Sequence, residues 1–354
     1  MESGPRQRLL AGLRRETAGK PAFTSYECFL PRSAVERRLR NMGMCIVDRT
    51  VNVFVTHTPD VKVVTTKYAE NAVELVRTDY ETPFGNLHTL HQPAGFTFWR
   101  KKYIFSGPED YKKLIFLIDN ERYEPNYKAH IRAQELLGDD GLARGTIGSE
   151  PLQVLYRDLM GAEQFGLEWM DHRDDCIKLY EACVRAVRRR YPVLANSSAE
   201  VFNYGGNFTV EMMGPKVFKE YYMPHYAEAA ELLHRTGKLI GSHFDGNCKL
   251  IAQLLAESSL DYIEAFTPAP DTDMTLADAV AAWPNKAIWI NYPSSVHLRS
   301  LDQIAKTTRD LLEAAKNHPG FVVGITEDMP EDRWEQNLLT IMETMGAYCE
   351  REDT

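Results

Sequence analysis

The chain is predicted to be an α/β protein, a (β/α)8 TIM barrel carrying a β-rich insertion near its N-terminus. Three observations predict it. Short apolar runs of strand length recur through the second half of the chain at steps of about 20 to 35 residues, the length a strand–helix unit needs. Stretches of helical periodicity fill the intervals. The runs also stop at polar or charged residues, most clearly in KLIGSHFDGN (238–247), where His243 and Asp245 follow a buried strand and a Gly-Asn turn starts the next helix. Polar groups at the mouth of a core are wasteful for packing, but strand C-termini are where parallel α/β proteins keep their chemistry.

Taken in order, residues 6–17 form a short basic helix with Leu9, Leu10 and Leu13 on one face, stopped by Pro21. Residues 22–26 form a first strand, running into Glu27, and 32–42 a second helix. From 44 to 105 the apolar residues alternate with period two, β-branched residues are enriched and a tight turn sits at 83–86, which predicts antiparallel strands. His57, His88 and His91 read as ordinary strand histidines, the last two facing opposite sides. Ser106 and Glu109 have the spacing of a capping box, and a further helix covers 127–137.

The regular series then begins. Strand 142–147 runs into Ser149 and Glu150, followed by helices at 152–159, 162–168 and 171–191. Strand 200–203 leads to Asn203, Tyr204, two glycines and Asn207, and helix 215–235 is kinked or split by Pro224. Strand 238–242 leads to His243, 262–263 to Glu264, 287–290 to Asn291 and 321–325 to Glu327, with helices at 248–257, 276–283, 301–317 and 331–349. Counting the first strand, this makes about seven or eight, and eight is the number of the barrel. An open doubly wound sheet is the rival, but no G-x-G-x-x-G follows a strand.

The composition, 44% hydrophobic and 26% charged over 354 residues, is globular, and we read one barrel domain over 1–354 with its insertion at about 44–105. A net charge of -9 argues against nucleic acid or an anionic membrane surface as partner. The run Arg188, Arg189, Arg190 reads as a solvated helix end. No apolar run reaches the about 20 residues that span a bilayer, and the opening MESGPRQRLL lacks a secretory apolar core. The six scattered cysteines, without a CxxC pair, read as reduced thiols of a cytoplasmic protein. The 17 tyrosines and 15 phenylalanines suit a core first and a homodimer interface second.

In a barrel the strand ends converge on one mouth. Glu27, Glu150, Asn203, His243, Asp245, Glu264, Asn291 and Glu327 arrive there. One imidazole with several carboxylates suits a divalent metal, and His243, Glu264 and Glu327 are the expected Zn2+ ligands, with Asp245 a further ligand or the partner that orients the imidazole. Each carboxylate taken singly suits a helix cap equally well, so a metal-free acid–base or binding pocket stays open. Cys248 falls inside a helix start. Asp245 and Glu150 are the candidate proton-handling groups. Tyr26, Asn203, Tyr204, Asn207 and Asn291 are the candidate substrate-binding residues, the glycine loop at 203–207 allowing close backbone approach or simply making a tight turn.

The order of features resembles the uroporphyrinogen decarboxylase superfamily, which includes the zinc-dependent methyltransferases of corrinoid systems. The resemblance lies in RQRLLAGLRRETAGKPAF at the start, in YETPFGNLHTLHQ and FTFWRKKYIFSGPEDYKKL, and in MMGPKVFKEYYMPHYAEAAELLHRTGKLIGSHFDGN, and it covers almost the whole chain. It departs from the decarboxylases proper, which hold substrate propionates with an M-R-Q-A-G-R stretch after the first strand; here that place reads SYECFLPRS. It departs also from the thiol-methylating members, whose His-x-Cys and later Cys are replaced by His243-Phe244-Asp245 and Thr326-Glu327. Oxygen ligands donate less charge than thiolates, which favours polarising an oxygen or nitrogen leaving group. The resemblance thus implies a zinc-dependent methyltransferase moving a methyl group from a small O-methyl or N-methyl compound to the cobalamin of a partner corrinoid protein. A metal-free decarboxylase of a cyclic or aromatic acid and a non-catalytic ligand-binding barrel stand as alternatives.

Overall fold

The computed structural model describes residues 4–16, 20–95 and 97–352. It divides into two compact units, one of residues 1–53, 127–146 and 197–354, the other of 54–126 and 147–196. The first is the barrel. Its strands follow the order Gly145–Gly148, Val201–Tyr204, Leu239–His243, Tyr262–Phe266, Ala287–Asn291, Phe321–Ile325, Ala22–Tyr26, Met44–Asp48 and Gly141–Ala143. The two ends of this order are separated along the chain by Arg144 alone. They therefore occupy one strand position, bent at that residue, and the sheet returns on itself as the expected eight-membered (β/α)8 barrel.

Met44–Asp48 corrects the reading of the insertion. It is a buried parallel strand between Ala22–Tyr26 and Gly141–Ala143, not the start of the antiparallel segment. With Ala22–Tyr26 and the helix before it, Met44–Asp48 makes a strand–helix–strand unit, while its other neighbour, Gly141–Ala143, lies almost a hundred residues further on. Glu264 likewise lies inside its strand, which extends to Phe266, where a two-residue strand was expected.

The barrel interior is filled by large residues set against small ones. A Cβ on Gly241 would fall 2.1 Å from the Tyr262 ring, so glycine makes the room that Tyr262 occupies. Tyr262 is wholly buried and its hydroxyl donates to the Phe202 carbonyl at 2.8 Å. Helix Pro5–Leu13 packs Leu9, Leu10 and Leu13 into the same cluster as Cys45, Val47, Leu142, Trp289 and Val322. Each such side chain contributes about 1.5–3 kcal/mol by leaving water. The predicted end of this helix, Thr17, lies outside the described residues.

In the second unit, Lys62–Glu70, Val73–Thr82, Gly85–Ala94 and Thr97–Lys102 form an antiparallel meander, and Phe54–His57 pairs with Arg122–Pro125. Helices Tyr111–Asp119 and Arg173–Ala195 belong to the same unit. Ser106 does not cap a helix as its spacing suggested: its N–H donates to Asp110 Oδ2 at 2.8 Å and its hydroxyl accepts from Lys102 Nζ at 2.9 Å, while a 3-10 turn at Pro108–Asp110 starts the helix. No helix among the described residues is long and apolar enough to cross a membrane.

Candidate active site at the strand ends

His243 closes its strand and stands in register with Glu264 on the next one, so parallel pairing sets the two side chains beside each other. Glu264 is the centre of the cluster, with none of its side chain accessible. Its Oε1 accepts from the Tyr26 hydroxyl and the Arg144 guanidinium, and its Oε2 faces His243 Nδ1 at 3.1 Å. The other imidazole nitrogen, Nε2, faces Asp245 Oδ2 at 3.3 Å. Asn207 holds Asp245 in turn, its Nδ2 donating to Oδ2 at 3.1 Å, while its backbone N–H donates to the His243 carbonyl at 3.2 Å. The chain from Arg144 through Glu264 and His243 to Asp245 thus alternates in charge, and every link is a hydrogen bond or ion pair.

The electrostatics follow from those contacts. Burial alone would pull the His243 pKa down, but hydrogen bonds to Asp245 and Glu264 and the charges of both outweigh it and raise it to about 9. Burial would push Glu264 up, yet Arg144, His243 and the Tyr26 hydroxyl hold its carboxyl at about 2. Tyr26, buried beside that carboxylate, is raised and stays a proton donor. At neutral pH the cluster therefore holds an imidazolium between two carboxylates. His243 keeps 16% of its side chain accessible and Asp245 27%, while Glu264 keeps none, so the imidazolium and Asp245 are the reachable members.

The backbone is shaped around this pair. Ala265, directly after Glu264, has a φ of 58°, and the strand register shifts between Glu264 and Phe266. A non-glycine residue in that region costs on the order of 1–3 kcal/mol, a strain found where geometry must be imposed. On the other side, Gly206 has a φ of 142°, and a Cβ there would lie 2.9 Å from the His243 Cβ. Gly206→Ala is expected to displace the imidazole, lowering turnover at least about tenfold while reducing stability by about 1–3 kcal/mol. Parallel measurement of kcat and the urea midpoint checks this, and an unchanged kcat refutes the close fit.

The remaining predicted residues fall in different places. Asn203 Oδ1 is buried and has no hydrogen-bond partner among the described residues, as befits an acceptor kept for a ligand. Asn291 instead uses its Oδ1 to accept the Thr326 N–H at 3.0 Å and reaches toward Ser294, whose hydroxyl donates to Glu327 at 2.6 Å. Glu27 is chelated by Arg49 at 3.1 and 3.2 Å. Tyr204 is wholly buried, edge-on to Tyr226. Glu150 belongs to the second unit, where it is buried at the start of the Pro151–Gln153 turn.

Two residues escaped the sequence reading. Arg144 is the buried cation on Glu264, and Arg49 lies over the Tyr26 ring at 3.6 Å from its centroid. A charge inside the apolar strand GLARGTIG was a signal for the first, because a buried charge needs a partner. Nothing local distinguished Arg49 from a surface arginine.

The expected zinc ligands do not fit this arrangement. Both Glu264 oxygens already accept from Tyr26, Arg144 and His243, and Glu327 shares no hydrogen bond or ion pair with His243. Cys248 is buried, and its thiol is raised, remote from the thiolate form that binds metal. Among the described residues no three His, Cys, Asp or Glu side chains are placed to hold an ion. Protein purified without added metal is therefore expected to contain well below one zinc per chain. One zinc per chain, lost in His243→Ala, would overturn this.

Comparison with known proteins places the cluster in context. No curated protein matches the chain significantly. Among solved structures, a methyltransferase from Methanosarcina mazei is similar in fold over 98% of this chain and 99% of its own, with a TM-score of 0.60 at 11% sequence identity. The profile of the uroporphyrinogen decarboxylase (URO-D) family matches residues 101–348, which take in His243, Asp245 and Glu264. The chain belongs to the uroporphyrinogen decarboxylase family.

Proposed function

We propose that this barrel is a methyltransferase that removes a methyl group from a small O-methyl or N-methyl compound and delivers it to a corrinoid protein. The observation that carries the proposal is the reachable imidazolium of His243 held between Asp245 and Glu264. The solved methyltransferase of the same fold supports the reaction class, and the absence of the arginine stretch used for propionates turns the reading away from tetrapyrroles.

The partner's corrinoid would supply the nucleophile that accepts the methyl group. The protein's own task is to make the departing oxygen or nitrogen a good leaving group. As the C–O or C–N bond breaks, its electron pair stays on the heteroatom, which takes the proton from His243 Nε2. Glu264 holds Nδ1 and fixes the ring, and Asp245, facing Nε2, stabilises the proton there until it leaves. The neutral imidazole then regains a proton from water. Arg144 and Tyr26 keep Glu264 ionised throughout.

The test is incubation with a corrinoid partner and a series of aryl methyl ethers, reading release of the free phenol. Release that depends on His243 supports the proposal, and none from any methyl donor sinks it. A second reading is decarboxylation of a cyclic or aromatic acid, for which the accessible imidazolium of His243 would protonate the carbanion left as CO2 departs. CO2 release from such acids, without corrinoid, would establish it instead.

A further inference from the structure

The Tyr26 hydroxyl donates to Glu264, and Glu264 holds the imidazole of His243, so the direction of one phenol bears on where the acid stands. What directs the phenol comes from the neighbouring strand. Tyr26 is in parallel register with Val47. By strand alternation Arg49, two residues further, emerges on the same side and one step nearer the strand ends. Its guanidinium lies over the Tyr26 ring, 3.6 Å from the centroid. We propose, on the reading of His243 as the acid, that Arg49 is a positioning residue: it clamps the Tyr26 ring and, through the phenol and Glu264, keeps the imidazole aimed at the leaving group.

The clamp is built to hold one orientation. Glu27 grips the guanidinium at two points, Nε donating to Oε2 at 3.1 Å and Nη2 to Oε1 at 3.2 Å, which fixes the plane of the fork. Nη2 also donates to Cys28 Sγ at 3.2 Å. Glu27 is anchored in turn, its N–H donating to the Val47 carbonyl at 3.2 Å. Beside the clamped ring, Phe29 stacks with its centroid 5.9 Å away, and the Arg144 guanidinium lies 5.5 Å from the Tyr26 centroid. A cation over a ring face is attracted by the ring quadrupole. A flat one also resists the tilt about χ1 that would swing the hydroxyl off Glu264. Arg49 makes no hydrogen bond or ion pair to Glu264 or His243, so it reaches them through Tyr26. Lysine would supply the charge but neither the flat stack nor the two-point grip.

A double-mutant cycle on the full chain tests this. Arg49→Ala and Tyr26→Phe are each expected to lower kcat/KM for an unactivated aryl methyl ether about tenfold or more. The combined variant should lose no more than Tyr26→Phe alone, because without the hydroxyl there is nothing for Arg49 to aim. Arg49→Lys should behave like Arg49→Ala, and urea midpoints confirm that all the variants fold. A second readout needs no turnover. In protein labelled with 15N-histidine, the Nδ1 proton of His243, identified by its loss in His243→Gln, should resonate far downfield while Glu264 holds it. It should shift in both single variants and no further in the combined one. Additive losses in the cycle, or full activity in Arg49→Lys, overturn the proposal. So does an unmoved His243 proton in Arg49→Ala, whatever the turnover. If no methyl donor is turned over but the proton shifts as expected, the positioning stands and the methyl-transfer reading falls.

Discussion

Replacing Glu264 with glutamine is expected to cost about 3–5 kcal/mol of folding stability, the range found when one member of a buried ion pair is removed. The carboxylate is wholly buried, its Arg144 partner is 7% exposed, and His243 and Tyr26 also donate to it. Glutamine keeps the volume but removes the charge and puts an amide donor where three donors already converge. The guanidinium is then left buried without a counter-charge. Urea unfolding would read the loss as a lower midpoint at unchanged slope. Adding Arg144→Met should recover part of it, because the stranded cation is gone. A Glu264→Gln protein as stable as the wild type would mean the pair is not formed.

The pH dependence gives this prediction a second signature. A carboxyl held at about 2 contributes stability that is present above its ordinary value of 4.5 and lost as pH falls toward 2. The raised His243 contributes in the opposite sense: its share is complete below the ordinary 6.5 and is lost as pH rises through about 9. The wild type should therefore weaken on both flanks. Glu264→Gln removes the largest part of the acid flank, leaving Asp245, which His243 also holds below its ordinary value, and shrinks the alkaline one, since the imidazolium has lost one of its two carboxylates.

The second large effect is on turnover. His243→Gln is expected to lower kcat/KM for an unactivated aryl methyl ether by about 10²–10⁴, the usual contribution of a positioned general acid. The loss should shrink toward nothing as the leaving phenol becomes more acidic, because a stable phenolate needs no proton. A purely structural role would reduce all substrates alike. In the wild type, kcat/KM for the unactivated ether should fall as pH rises through about 9, where the free enzyme loses the His243 proton. That limb should be absent in the variant. A leaving-group-independent loss would remove His243 as the acid.

Much of the barrel was legible because its signals are local. Apolar runs bounded by turn residues mark strands, and their spacing marks the helices between them, so Ala22–Tyr26, Leu239–His243 and Phe321–Ile325 were placed within a residue or two. The same logic brought His243, Asp245 and Glu264 to one place, since parallel strands end on one side. Met44–Asp48 was misassigned because an alternating run looks alike whether its neighbour is a hairpin partner or a parallel strand.

What the sequence by itself determined is thus the α/β class, seven of the eight barrel strands and the identity of the polar residues carried to the strand ends. Only the tertiary structure decided what those residues do to one another. Glu264 read as a ligand until Arg144 and Tyr26, 120 and 238 positions away, were found on its oxygens. Tyr204 read as part of a loop and is buried against Tyr226. The physical reason is the same in both cases: the charge state and availability of a side chain are set by what surrounds it in space, and barrel closure gathers those surroundings from the whole length of the chain.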